Sequence, residues 1–170
     1  MLSLVFLLIH LTFALFVFFL TIAFVTGAPF VPSVNATARI MIDLARIKKG
    51  MNIYDLGSGD GRLLLLAAQK GATSVGLEIN PFLVLFSKLR TIFFPYRNQI
   101  TTRWQNFWNA DLSDADIVFV YLLPWRMERL AEKLKKELKP GSIIVSNSFI
   151  FPNWKILRQD ESRHIYVFKR

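Results

Sequence analysis

The chain opens with one long apolar run, and shorter alternating segments follow it. Leu2 to Val25 holds no charged residue, and its only polar side chains are Ser3, His10, Thr12 and Thr21. Such a run predicts a helix of about 36 Å, enough to cross a hydrocarbon core of about 30 Å with some tilt. Pro29-Phe30-Val31-Pro32-Ser33 breaks it. From there the pattern switches between helical and strand periods. A helix is expected from Ala36 to Ile47, capped by Ser33 or Asn35, with Ile40, Leu44 and Ile47 on one face. A short strand around Ile53 leads through Tyr54-Asp55-Leu56-Gly57-Ser58-Gly59-Asp60-Gly61-Arg62 into a leucine-rich helix, Leu63 to Ala68. Ser74 to Ile79 reads as a second strand and Phe82 to Phe94 as a helix, with apolar spacing at Leu85, Leu89 and Ile92 or Phe93. Ile100 to Trp104 and Asp116 to Leu123 are further strands, and Trp125 to Leu138 is an amphipathic helix. On that helix Leu130, Leu134 and Leu138 face inward, and Glu132 and Lys136 pair outside. Ser142 to Ser146 makes a fifth strand, and Trp154 to Arg158 with His164 to Lys169 a terminal hairpin.

Strands that alternate with helices imply a mostly parallel sheet with right-handed crossovers. The expected fold is α/β, a minimal Rossmann-like sheet closed by an antiparallel hairpin and preceded by one transmembrane helix. The expected domains are an anchor at 1–27 and a globular unit at 28–170. A ligand belongs at the carboxyl ends of the first two strands, where chain order is expected to reverse.

The glycine turn carries the chemistry. Gly57, Gly59 and Gly61 let the backbone approach a ligand closely, and the helix that follows aims free N–H groups at the turn. A dinucleotide site wants G-x-G-x-x-G. Here the spacing is G-x-G-x-G, flanked by Asp55 and Asp60, and two carboxylates beside a pyrophosphate would repel it. They suit a ligand with a cationic end. Glu78 closes the second strand about 20 residues later, where an acid can accept from both hydroxyls of a ribose.

Composition adds a compartment and some exclusions. The 53% hydrophobic content traces largely to the first segment. A secretory signal would need a basic start and a small-residue cleavage site. No Lys or Arg precedes Arg39, and Thr26-Gly27-Ala28 is followed by Pro29, so a retained anchor is the better reading. His10 has no charged partner within the segment, which makes it a helix-interface or lipid-tolerated residue rather than a proton relay. Arg39, Arg46, Lys48 and Lys49 follow the span and place the rest of the chain in the cytoplasm. The net charge of +9 suits an anionic membrane surface, and by itself would also suit nucleic acid. With no cysteine and two distant histidines, no thiolate or histidine metal cluster is expected.

The sequence D-L-G-S-G-D-G (55–61) resembles motif I of the class I S-adenosylmethionine methyltransferases. P-F-V-P-S (29–33), G-L-E-I-N-P (76–81), V-Y-L-L-P (120–124) and S-N-S-F (146–149) follow the pattern of one branch. That branch is the small protein-lysine methyltransferases, which include the enzymes acting on the ATP synthase c-subunit and the adenine nucleotide translocase, and their prokaryotic relatives. The resemblance implies S-adenosyl-L-methionine as cofactor, held by Asp55, Gly57, Ser58, Gly59, Asp60, Gly61, Glu78 and Asn80. Phe30 and Ser33 would close over it. Asn106, beside Phe107, stands where many relatives carry an acid for the adenine amine, and an amide oxygen accepts that bond more weakly. Tyr121 and Asn147 are the candidate catalytic residues, with Ser146 and Phe149 lining a lysine channel. The implied partner is a protein presenting a lysine near a membrane. A lipid, quinone, other small molecule or RNA is the alternative substrate, although Tyr121-Leu122-Leu123-Pro124 lacks the N-P-P-Y pattern of amino-methylating nucleic-acid enzymes. A non-catalytic binding module is a further alternative. Without an Arg-rich presequence, a prokaryotic inner membrane is the expected site and a mitochondrial membrane the alternative.

Overall fold

A computed structural model describes residues 2–26 and 35–170. The apolar run is a single helix, α1 (Leu2–Thr26), with Ser3–Ile22 long and apolar enough to cross a membrane. Its hydroxyls do not disturb it. Thr12 and Thr21 donate back to the carbonyls of Leu8 and Val17, at 2.8 and 3.0 Å. His10 uses Nδ1 the same way against Phe6 O, and its ring lies 4.7 Å from the Phe6 ring. Phe30 and Ser33 lie outside the described residues.

The globular part follows the expected alternation. It runs α2 (Asn35–Ala45), β1 (Asn52–Leu56), α3 (Arg62–Gln69), β2 (Thr73–Glu78), α4 (Pro81–Ile92), β3 (Ile100–Trp104), β4 (Ile117–Val120), α5 (Pro124–Glu137), β5 (Ile143–Asn147), β6 (Ile156–Asp160) and β7 (Ile165–Lys169). The strands form one sheet in the order β3-β2-β1-β4-β5-β7-β6. Only β7 breaks the parallel run, pairing antiparallel with β5 and with β6. Among the described residues no helix separates β5 from β6, so the sheet is as minimal as the sequence suggests.

Two apolar layers cover the sheet. On one face α2 and α3 pack Ala38, Met41, Ile42, Leu63 and Ala67 against Ile53, Ile117, Phe119 and Val145. On the other, Met127, Leu130, Leu134 and Leu138 from α5 and the turn after it meet Leu56, Leu77, Val118 and Ile144. β4 is buried at every position, as expected of a central parallel strand.

Several expectations need correcting. Chain order reverses between β1 and β4, not at β1 and β2, because β2 and β3 build outward on one side while β4 and β5 build on the other. The buried face of α2 is Thr37, Ala38, Met41, Ile42 and Ala45, with Ile40 and Leu44 only part-buried at its edge. Small side chains let this helix lie close to α3 and β5. On α5 the i,i+4 ion pair is Lys133–Glu137 at 2.6 Å, one position beyond the expected pair, because Lys133 also reaches Ala110 O at 2.7 Å. The largest departure is α4. Leu85, Leu89, Ile92 and Phe93 do not face the core. They are exposed, and the helix sits on the sheet through Val84 and Ser87. The Ser87 hydroxyl meets the Thr102 hydroxyl of β3 at 2.9 Å, which fixes that face inward.

Candidate functional site

The site is built where β1 ends. Gly57, Gly59 and Gly61 all take positive φ, at 83°, 53° and 75°. A side chain would be strained at each. The turn is pinned below by the neighbouring strand: the N–H groups of Gly57 and Ser58 both donate to Leu77 O, at 2.8 and 3.2 Å. β2 can come this close because Gly76 lacks a side chain. A Cβ there would stand 2.5 Å from Ser58 Oγ and 2.6 Å from Leu64 Cδ1. Gly61 is crowded in the same way by Ser87 of α4. A glycine inside a strand pattern signals such an approach, so Gly76 is legible as part of the site even though it lies outside the glycine motif.

Glu78 ties the turn to the next helix. One carboxylate oxygen accepts from Gly59 N–H and the other from Asn80 N–H, both at 2.9 Å. Asn80 then caps α4, its Oδ1 accepting from Phe82 N–H at 2.9 Å. Asp55, Asp60, Glu78 and Asn80 are all buried, within a few residues of one turn.

These carboxylates have different fates. Burial acts to raise the Asp60 pKa, but hydrogen bonds and charge from Arg62, with the charge of Arg90, outweigh it and hold the group below the usual carboxylate range. Arg62 donates through Nε and Nη2 at 3.0 and 2.8 Å, and Arg90 through Nη1 at 2.6 Å. Asp60 therefore already has cationic partners. Arg62 is visible inside the motif, whereas Arg90, 30 residues away, has no local signal. Asp55 is the opposite case. Burial first, then the charges of Glu78 and Asp60, push it up to about 8. Glu78 is also raised by burial, against the pull of backbone N–H groups from Asn80, Gly59 and Ile79. Among the described residues neither Asp55 nor Glu78 has an ion-pair partner.

A ligand of the expected kind fits this arrangement. Two buried acids without a basic partner call for cationic or hydroxyl donors. Ser58 Oγ and Asn80 Nδ2 are buried beside them and lack a hydrogen-bond partner among the described residues. Native interiors seldom leave such atoms unsatisfied, so both are available to polar groups of a ligand.

The remaining candidates line the same rim. Strand register puts Leu56 beside Val120 and Val120 beside Ser146. Gly57 and Tyr121, the residues after β1 and β4, thus come beside Asn147, the last residue of β5, which still pairs with Ile165 of β7. Tyr121 is part-buried and Asn147 buried. Ser146 donates to Phe149 O at 2.6 Å, and Ser148, at φ 69°, donates to Asn147 Oδ1 at 3.1 Å. This folds the S-N-S-F segment back over the end of β5. Asn106 caps a single 3-10 turn, Phe107–Asn109, by accepting from Trp108 N–H at 3.0 Å. The Phe107 ring is buried against the α5-side core. Gln105 N–H donates to Glu78 O at 2.9 Å, which holds the Asn106 turn next to the end of β2.

Comparison with known proteins agrees with this geometry. Residues 55–158 match the model of the ANTKMT methyltransferase domain. The ATP synthase C-subunit lysine N-methyltransferase of Homo sapiens is 32% identical over 126 residues, covering 74% of this chain and 54% of that protein. A protein-lysine N-methyltransferase of Saccharolobus islandicus is 34% identical over 139 residues, covering 78% of this chain and 83% of that protein. The chain spans about half the length of the ATP synthase-directed enzymes from Homo sapiens, Xenopus laevis and Mus musculus. Among solved structures, an RNA methyltransferase from Salinibacter ruber in complex with S-adenosyl-L-homocysteine superposes with TM-score 0.76 at 32% identity. It covers 81% of this chain and 91% of its own. The seven-stranded sheet is thus the class I methyltransferase fold expected from the sequence. By the family match across the glycine turn, Glu78 and the β4 rim, this chain belongs to the ANTKMT methyltransferase-domain family.

Proposed function

We propose that the chain is an S-adenosyl-L-methionine-dependent protein-lysine N-methyltransferase, held at a membrane by α1 and working on the cytoplasmic side. The observation that carries the reading is the pair of buried acids, Asp55 and Glu78, at a three-glycine turn inside the family match. The names of its relatives favour a lysine as acceptor. Residues 1–27 serve as the anchor and 28–170 as the catalytic unit, in a prokaryotic inner membrane or, alternatively, a mitochondrial one.

When bound, the cofactor supplies a methyl group on a cationic sulfur. Asp55 faces the cationic amino-acid end, and Glu78 accepts from the ribose hydroxyls. Ser58 and Asn80 take up further polar groups, and Asn106 accepts from the adenine amine. Asp60, already clamped by Arg62 and Arg90, holds the turn's shape in addition to flanking the ligand. Phe30 and Ser33 close over the cofactor. Tyr121 and Asn147 orient an incoming lysine amine, whose lone pair forms the N–C bond as the S–C bond breaks; the displaced proton leaves to water. Holding nitrogen and carbon at about 3–3.5 Å accounts for roughly 7–11 kcal/mol of barrier. A desolvated channel past Phe149 keeps the amine neutral without a dedicated base.

One observation favours a second reading. The Salinibacter ruber protein, at 32% identity, is described as an RNA methyltransferase, and a net charge of +9 suits RNA as well as a bilayer. The test is transfer of radiolabelled methyl groups to separated membrane-protein, soluble-protein, RNA and lipid fractions, with Asp55→Ala alongside. Acid-stable label recovered as methyl-lysine, and absent with Asp55→Ala, supports the first reading. Label confined to RNA or lipid replaces it, and bound cofactor without any transfer makes the chain a binding module.

A further inference from the structure

We propose that α4 is a second membrane contact, a surface helix that lies in the bilayer interface and sets the cofactor site against it. This rests on α1 being a retained membrane anchor. Phe82, Leu85, Phe86, Leu89 and Ile92 recur at helical spacing down one side of α4, Phe93 follows at its C-cap, and all are exposed, Phe93 at 93%. A core helix shows the reverse, with its apolar stripe inward. Here the inward face is Val84 and Ser87, and the Ser87–Thr102 hydroxyl contact locks it there. An apolar face of this length on a domain surface marks an interaction site.

Three observations select a bilayer as what covers it. The first is charge. Residues 79–110 carry Lys88, Arg90, Arg97 and Arg103 and no acid. Lys88, Arg97 and Arg103 are exposed, and Arg90 pairs with Asp60 alongside Arg62. An apolar stripe bordered by basic residues is the composition of an interfacial helix on anionic lipid. The second is Trp104. It extends from the same face of the sheet as Thr102, is 65% exposed, and fixes its ring by donating Nε1–H to Ile79 O at 2.8 Å. Trp at the rim of an apolar patch is the usual boundary residue between hydrocarbon and headgroups. The third is depth. The Phe82 ring meets Phe16 and Phe19 of α1, with centroids 6.5 and 6.4 Å away. With Ser3–Ile22 as the span, those residues lie about 9 and 4.5 Å inside its end at 1.5 Å per residue. Interfacial helices sink about 5–10 Å. The level that α1 gives Phe82 and the level that α4 needs therefore coincide.

The consequence is a choice of substrate geometry. α4 begins three residues after Glu78 and is capped by Asn80, so seating α4 holds the glycine turn, and with it the rim of Tyr121 and Asn147, close to the headgroups. The acceptors reached are amines at the bilayer surface, at the ends or short loops of membrane proteins.

The chain has no cysteine, so single labels are clean. The full chain is reconstituted in phosphatidylcholine/phosphatidylglycerol vesicles with an environment-sensitive fluorophore at Leu15→Cys, Leu89→Cys or Glu132→Cys, and quenched by lipid-borne nitroxide or by aqueous iodide. Expected is lipid quenching at 15 and 89 and iodide quenching at 132, on exposed α5 across the sheet. Phe86→Asp together with Leu89→Asp should move a label at Phe93→Cys from lipid to iodide quenching while thermal unfolding stays within a few degrees. Iodide quenching at 89 with lipid quenching at 15 overturns the proposal and leaves the anchor intact. Iodide quenching at both removes the anchor reading itself. Shielding at 89 from iodide and lipid alike, lost on diluting protein in lipid, would mean that a second copy covers α4, and would also overturn it.

Discussion

If Asp55 meets the cationic end of the cofactor, binding must drive a proton off it, and affinity must depend on pH. Burial and the charges of Glu78 and Asp60 push Asp55 up to about 8. At pH 6 about one molecule in a hundred then has the group ionised, at pH 7 about one in ten, and at pH 8 about half. S-adenosylmethionine affinity should rise about twentyfold from pH 6 to pH 8. The gain ends there, because an α-amino group loses its own proton near the same pH. Calorimetry in buffers of different ionisation enthalpy should find about one proton released per ligand bound at pH 6.5. In Asp55→Asn the slope and the proton should both vanish, with affinity low throughout. The unliganded protein carries the opposite signature. The folded pKa of this acid lies above its ordinary value of 3.8, so the fold favours the neutral form. The contribution is fully present below about pH 4 and is lost as pH rises to about 8. That interval, at about 1.4 kcal/mol per pH unit, is worth about 6 kcal/mol at most. Asp55→Asn should therefore stabilise the unliganded protein at pH 8 and change it little at pH 4. A flat affinity between pH 6 and 8 without proton release would refute the assignment of Asp55 to the cationic end.

Three further outcomes follow from the same geometry. Gly76→Ala drives a methyl group into Ser58 and Leu64, at 2.5 and 2.6 Å, and should cost about 2 kcal/mol, read as a drop of about 4–8 °C in Tm; cofactor affinity, measured in the same samples, should fall as the turn is displaced. Glu78→Gln keeps the shape but must turn one N–H-accepting oxygen into a donor beside Gly59 or Asn80, and should lower cofactor affinity at least tenfold by equilibrium binding. Tyr121→Phe should leave cofactor affinity unchanged and lower kcat for methyl transfer about ten- to a hundredfold in a steady-state assay.

The sequence is most readable where local pattern and buried position agree. The β4 run Ile117–Val120, the glycine turn and the acid at the end of β2 each follow from a backbone or charge requirement that the residue type itself states. It misleads on α4, because periodicity tells that a helix has an apolar face and not which way that face points. Only the Ser87–Thr102 contact, across 15 residues, decides that. The same limit hides Arg90 as a partner of Asp60 and moves the i,i+4 pair on α5 by one position. Each depends on which side chains a neighbouring element brings near, a property of tertiary packing rather than of spacing.

The central claim, that this turn presents an activated methyl group to a lysine, is tested most directly by identifying the acceptor atom. Host membranes incubated with the full chain and trideuteromethyl S-adenosylmethionine can be digested and read by mass spectrometry. The predicted result is heavy methyl on a lysine Nζ of a membrane protein, close to the bilayer surface and missing with Asp55→Ala. Heavy methyl found only on RNA or lipid, or none at all while the cofactor is bound, would contradict it.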